Sequence, residues 1–120
     1  MIIDVSHLND AGFSDVAALS TKPFVATHSN SRNVYDLPRN LSDEQFSYIV
    51  AIQGLVGLSL YKGHIANEPT LNGLFAHVEH YLSLGGEDTV ALGADFDGGE
   101  ALIEIDNVGK YDILYKYLLK

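Results

Sequence analysis

The chain has 120 residues, 47% of them hydrophobic, no cysteine, and 16 acids against 7 lysines and arginines, for a formal charge of −9. That charge repels phosphate backbones and argues against nucleic acid as a partner. The missing thiols exclude disulfides, thiolate zinc sites and a cysteine nucleophile, so any metal has to be held by histidine and carboxylate.

The length suits one globular domain. No apolar run approaches the roughly 20 residues of a membrane span, and the N-terminus lacks the basic region and small cleavage-type residues of a signal peptide. This composition is compatible with a cytoplasmic protein.

Ile2-Ile3-Asp4-Val5 reads as a strand, with Ser6-His7 at its end. Asn9 or Asp10 can cap a helix over about 11 to 20, whose apolar face is Phe13, Val16, Ala17 and Leu19. Pro23 closes that helix, and Phe24-Val25-Ala26-Thr27 forms a second strand running into His28. A polar loop carries Pro38, Arg32 and Arg39 to Asn40. Ser42-Asp43-Glu44-Gln45 is a capping box that starts a helix reaching about Ile52.

Leu55 to Tyr61 is the third strand, and Lys62-Gly63-His64 opens the next loop. Thr70 caps the most strongly periodic helix, with Leu71, Leu74, Phe75, Val78, Tyr81 and Leu82 at helical spacing. Gly85-Gly86 ends it. The fourth strand, 89 to 94, stops at Asp95-Phe96-Asp97-Gly98. An irregular acidic stretch to about Val108 then leads to a terminal helix bearing Tyr111, Ile113, Leu114, Tyr117, Leu118 and Leu119.

Four consecutive βα units joined by right-handed crossovers make a parallel sheet, either a small doubly wound one or half of an eight-stranded barrel. The loops favour the barrel, because polar residues follow every strand end: His7, His28 with Arg39, Tyr61 with His64, and Asp95 with Asp97. In a parallel sheet these positions share one face, so two imidazoles, a guanidinium and a carboxylate surround a common centre. Two histidines on adjacent strand ends can pair on a metal, a carboxylate can join them or move a proton, and an arginine can grip a carboxylate.

Each position also has an ordinary reading. Asp-x-Asp-Gly is common turn chemistry, with Gly98 taking a positive φ, and strand-end histidines can be plain loop residues. His64, His77 and His80 carry less weight, since the last two lie on a helix outside the sheet and suit structural roles.

Asp4-Val-Ser-His7, Pro23-Phe-Val-Ala-Thr-His-Ser-Asn30, Pro38-Arg-Asn-Leu-Ser-Asp43, Gly57-Leu-Ser-Leu-Tyr61 and Gly93-Ala-Asp-Phe-Asp-Gly98 together resemble the renal (membrane) dipeptidase family of zinc peptidases, built on an amidohydrolase-type (β/α)8 barrel. The resemblance covers the family's later portion. It implies that residues 1–120 form a single partial barrel, strands five to eight, truncated at both ends relative to the family.

It also implies that His7 and His28 are ligands of one ion in a two-zinc centre. Arg39 matches the residue holding the C-terminal carboxylate of a dipeptide, Tyr61 falls in a pocket-lining region, and Asp95 matches the acid/base. The family reaction is attack of a metal-bridging hydroxide on the peptide carbonyl. The family's His-x-Asp pair and bridging glutamate are absent, so the expectation is a partial site, inactive in isolation. An open four-stranded sheet further leads to an expected homo-oligomer covering its bare face. The alternative is a non-catalytic βα fragment serving as a binding or oligomerisation module.

Overall fold

The computed structural model describes residues 1–119. Three parallel strands, β1 (Val25–Ala26), β2 (Leu55–Ser59) and β3 (Val90–Ala94), form a sheet in the order β1-β2-β3. Among the described residues four α-helices alternate with the strands or follow them: α1 (Asp10–Leu19), α2 (Asp43–Ala51), α3 (Leu71–Ser83) and α4 (Tyr111–Leu118). The fold is therefore α/β with a parallel sheet.

Residues 2–5, expected as a full strand, run parallel to β1 on its outer side but form a single bridge, Asp4 with Val25. The Val5 N–H donates to Val25 O at 2.8 Å, and the Val25 N–H donates to Ile3 O at 3.0 Å. A regular ladder thus extends over three strands and not the expected four. The outer segment has a neighbour on one side only, and Ile2 and Ile3 are exposed.

The helix starts follow local chemistry. The Asn9 side chain accepts from Gly12 N, Ser42 and Gln45 close a reciprocal capping box, and Thr70 accepts from Gly73 N. The helices bury Phe13, Phe46, Ile49, Leu74, Val78, Tyr81 and Leu114 in one core with Phe24, Val56 and Leu58. Phe46 and Tyr81 stack with centroids 3.9 Å apart.

Alternate strand residues face opposite ways. Val56 and Leu58 enter the core, whereas Leu55 and Gly57 line a hollow of about 370 Å³ together with Val25, Thr27 and Ala91. Leu55 and Leu92 keep 47% and 45% of their surface exposed, so among the described residues this side of the sheet is only partly covered. Among the described residues no helix is long and apolar enough to cross a membrane.

Candidate functional site

The site grows from the junction of the N-terminal segment with β1. One oxygen of the Asp4 carboxylate accepts from the backbone N–H groups of Ser6 and Thr27, each at 3.0 Å, and from Ser6 Oγ at 2.7 Å. The other accepts from Thr27 Oγ1 at 2.6 Å. Partial burial opposes ionisation of Asp4, but the bonds from Thr27 and Ser6 outweigh it and hold its pKa at about 2.

This knot fixes two histidines. The His28 N–H donates to Ser6 Oγ at 3.1 Å, and His28 Nδ1 lies 2.8 Å from Thr27 Oγ1. The opposite ring nitrogen, His28 Nε2, faces His7 Nε2 at 3.0 Å, the rings meeting edge to face at 4.9 Å. Burial lowers the His28 pKa; Asp95 acts against that shift, while Arg39 and His7 add to it.

Asp95 reaches the same point from the end of β3. Its Oδ2 lies 3.9 Å from His28 Nε2. Pairing of β2 with β3 slips between Leu58 and Ser59, so that Ser59 faces Ala94 and Gly93 is bulged. The bulge re-aims the chain. Ala94, Asp95 and Asp97 then adopt positive φ angles of 48°, 65° and 64°, a conformation that aspartate tolerates and alanine resists.

Gly98, expected to hold the positive φ of this turn, does not. It is needed for space, since a Cβ there would collide with the Asp95 carboxylate. An antiparallel bridge between Tyr61 and Ala101 closes the loop behind Asp95.

Arg39 sits in the 30–41 loop, which buried amides weld to the sheet. Asn30 pairs with Ser59 like an added strand residue, its Nδ2 donating to Ser59 O at 3.0 Å and its Oδ1 accepting from Ser59 N at 2.9 Å. Asn40 Nδ2 donates to Tyr35 O at 2.9 Å and His64 O at 3.0 Å. Burial lowers the Arg39 pKa, against the pull of Asp95 and Asp4. Its Nη1 is buried and has no hydrogen-bond partner among the described residues.

Tyr61 and His64 follow β2, their rings edge to face at 4.8 Å. His64 Nδ1 lies 3.1 Å from Ser59 Oγ. Burial, reinforced by Arg39, pushes the His64 pKa down to about 4, and His28, His7 and Asp95 also act on it. His64 therefore belongs electrostatically to the same cluster. Its position just after β2 is the sequence signal that marks it, although sequence patterning alone lends it less weight than His7 and His28.

His77 has a structural role. Its Nδ1 accepts from Ser31 N at 3.0 Å and its Nε2 donates to Ile65 O at 2.9 Å, so one imidazole joins the Arg39 loop to the His64 turn. His80 pairs with Asp43 at 2.8 Å. His7, His28 and Asp95 thus come together, and all three act electrostatically on the buried His64. Among the described residues, no group of three or more His, Cys, Asp or Glu is arranged to hold a metal ion.

An α/β fold with polar side chains gathered at the ends of its parallel strands has the layout in which such folds place ligand-binding and active sites. A family profile for membrane dipeptidases (peptidase family M19) matches residues 1–120, and the chain belongs to this family. It is 40% identical over 104 residues to an uncharacterised protein from the pqqA 5′ region of Klebsiella pneumoniae, covering 82% of this chain and 38% of that one. Dipeptidase verJ of Clonostachys rogersoniana is 33% identical over 122 residues, covering all of this chain and 31% of its own.

A metallopeptidase from Rhodobacter sphaeroides, solved with a phosphinate mimic of the dipeptide L-Ala-D-Ala, superposes with a TM-score of 0.90 at 36% identity, over 97% of this chain and 35% of that one. The chain spans about a third of the length of these relatives.

Proposed function

We propose that these 120 residues carry one side of the metal centre and the substrate anchor of a zinc-dependent dipeptidase, built as the second half of a (β/α)8 barrel. His7 and His28 are ligands of one ion of a two-zinc centre. Asp95 moves the proton between water and the leaving amine, Arg39 holds the substrate's C-terminal carboxylate, and Tyr61 lines the pocket.

The observation that carries this reading is the convergence of His7 Nε2 and His28 Nε2 at 3.0 Å with Asp95 at 3.9 Å from the latter. The imidazole pair has the donor chemistry of zinc. Its separation is a few tenths of an ångström short of the roughly 3.3 Å that two nitrogens on a tetrahedral zinc would have, a gap that small ring movements close. A bound metal would polarise the peptide carbonyl and acidify water. The buried, unpartnered Nη1 of Arg39 suits a carboxylate ligand, as does the dipeptide mimic bound by the Rhodobacter relative.

A hydrolytic zinc site needs about three protein ligands. With two imidazoles, these residues by themselves do not turn over dipeptides. The half-exposed Leu55 and Leu92 support association of two copies through the open side of the sheet. The lack of a three-donor cluster among the described residues favours a second reading, a non-catalytic binding or oligomerisation module.

Metal analysis separates the two. Near-stoichiometric zinc that is lost in His7→Ala and His28→Ala supports the metal centre. Metal-free protein whose melting is unchanged by added zinc supports the module.

A further inference from the structure

The hydrogen bonds beneath His28 have a direction. Asp4 Oδ2 can only accept, so the 2.6 Å contact is Thr27 Oγ1–H donating to the carboxylate. That uses the single hydroxyl proton of Thr27. Ser6 cannot supply another, because its own proton goes to Asp4 Oδ1 at 2.7 Å while its oxygen receives the His28 N–H at 3.1 Å. At the 2.8 Å contact between Thr27 Oγ1 and His28 Nδ1, the donor is therefore the imidazole. Neutral His28 then carries its proton on Nδ1, and Nε2 presents a bare lone pair toward His7 and Asp95. The 3.0 Å contact between the histidines is correspondingly His7 Nε2–H donating to His28 Nε2.

We infer that Asp4 and Thr27 are positioning residues that set the His28 tautomer, holding its Nε2 ready to ligate a metal before any metal arrives. This rests on the proposed metal centre for its purpose, though not for its geometry. Outer partners of this kind, which orient a ligating imidazole and fix its proton, change metal affinity by roughly 10–100-fold when removed.

The isosteric Asp4→Asn substitution makes the sharpest test. The amide oxygen stays where the backbone N–H groups of Ser6 and Thr27 and the Ser6 hydroxyl need an acceptor. The amide nitrogen then faces Thr27 Oγ1 and donates to it. The Thr27 proton has to turn to His28 Nδ1, the imidazole proton moves to Nε2, and the metal-facing lone pair is lost. One exchanged atom reverses the whole chain of bonds while the packing is kept.

The experiment is nitrogen NMR of histidine-labelled, metal-free protein near neutral pH, paired with zinc titration. Wild type and Thr27→Ser should show a protonated Nδ1 and an unprotonated Nε2 on His28. Asp4→Asn should show the reverse, and Thr27→Val a mixture. Zinc affinity should fall about 10–100-fold in Asp4→Asn and Thr27→Val and return in Thr27→Ser.

A protonated His28 Nε2 in the wild type, or an unchanged tautomer in Asp4→Asn, overturns the inference. If the wild type takes up no zinc, the metal centre itself fails, and the tautomers still decide the role of Asp4 and Thr27.

Discussion

The backbone carbonyl of Thr27 lies against the backbone of Gly93, in the space that a side chain at that position would fill, and it excludes a side chain at Gly57 in the same way. The end of β1 thus bends across β2 and β3, and His28 follows directly from the bend. Gly93→Ala should cost on the order of 3 kcal/mol, the upper range for overpacking a tight site, and should weaken zinc binding along with it. Denaturant midpoints and zinc titrations check both. An alanine variant of wild-type stability would mean that this close approach does not exist in solution.

Acid should destabilise the fold through its buried histidines. His64 is pushed from 6.5 to about 4, and His77 is lowered too, both chiefly by burial. The unfolded chain therefore binds more protons than the folded one across this window, so stability is full above about pH 6.5 and falls as pH drops toward 4. Melting temperature measured against pH should show this slope, and His64→Gln should flatten it. A slope identical to wild type in that variant would contradict the buried, neutral state of His64.

Asn30 is fully buried, and its amide satisfies both backbone groups of Ser59. Asn30→Ala leaves a donor and an acceptor unpaired at the end of β2. The expected loss is about 2–4 kcal/mol, read from urea denaturation, with the Arg39 loop becoming accessible to protease. A loss within experimental error would show that the loop is not held by this amide.

Two copies packed through the open side of the sheet would bury Leu55 and Leu92. Leu55→Glu combined with Leu92→Glu should convert a dimer into a monomer in sedimentation without lowering helix content. A wild-type chain that is monomeric at high concentration and binds no hydrophobic dye would remove the proposal.

Purified protein should hydrolyse no dipeptide, because two imidazoles are fewer than the donors a hydrolytic zinc site requires. Turnover that disappears in His28→Ala would refute this and would place a complete site within these 120 residues.

The sequence by itself determined what depends on near neighbours. Asn9, Ser42 with Gln45, and Thr70 start their helices through bonds spanning three residues, so their identity and spacing are sufficient. The strand-end placement of His7, His28 and Asp95 was legible as well, because parallel connections put all those ends on one side. Only the tertiary structure decided that residues 2–5 make a single bridge, since pairing requires a partner supplied from far along the chain.

It also decided that Asp95 and Asp97, and not Gly98, take the positive φ, because a slip in the β2 and β3 pairing sets the course of that turn. The link from Asp4 through Thr27 to His28 spans 23 residues at its first step. A proton's position there depends on distances of tenths of an ångström between side chains that only folding brings together.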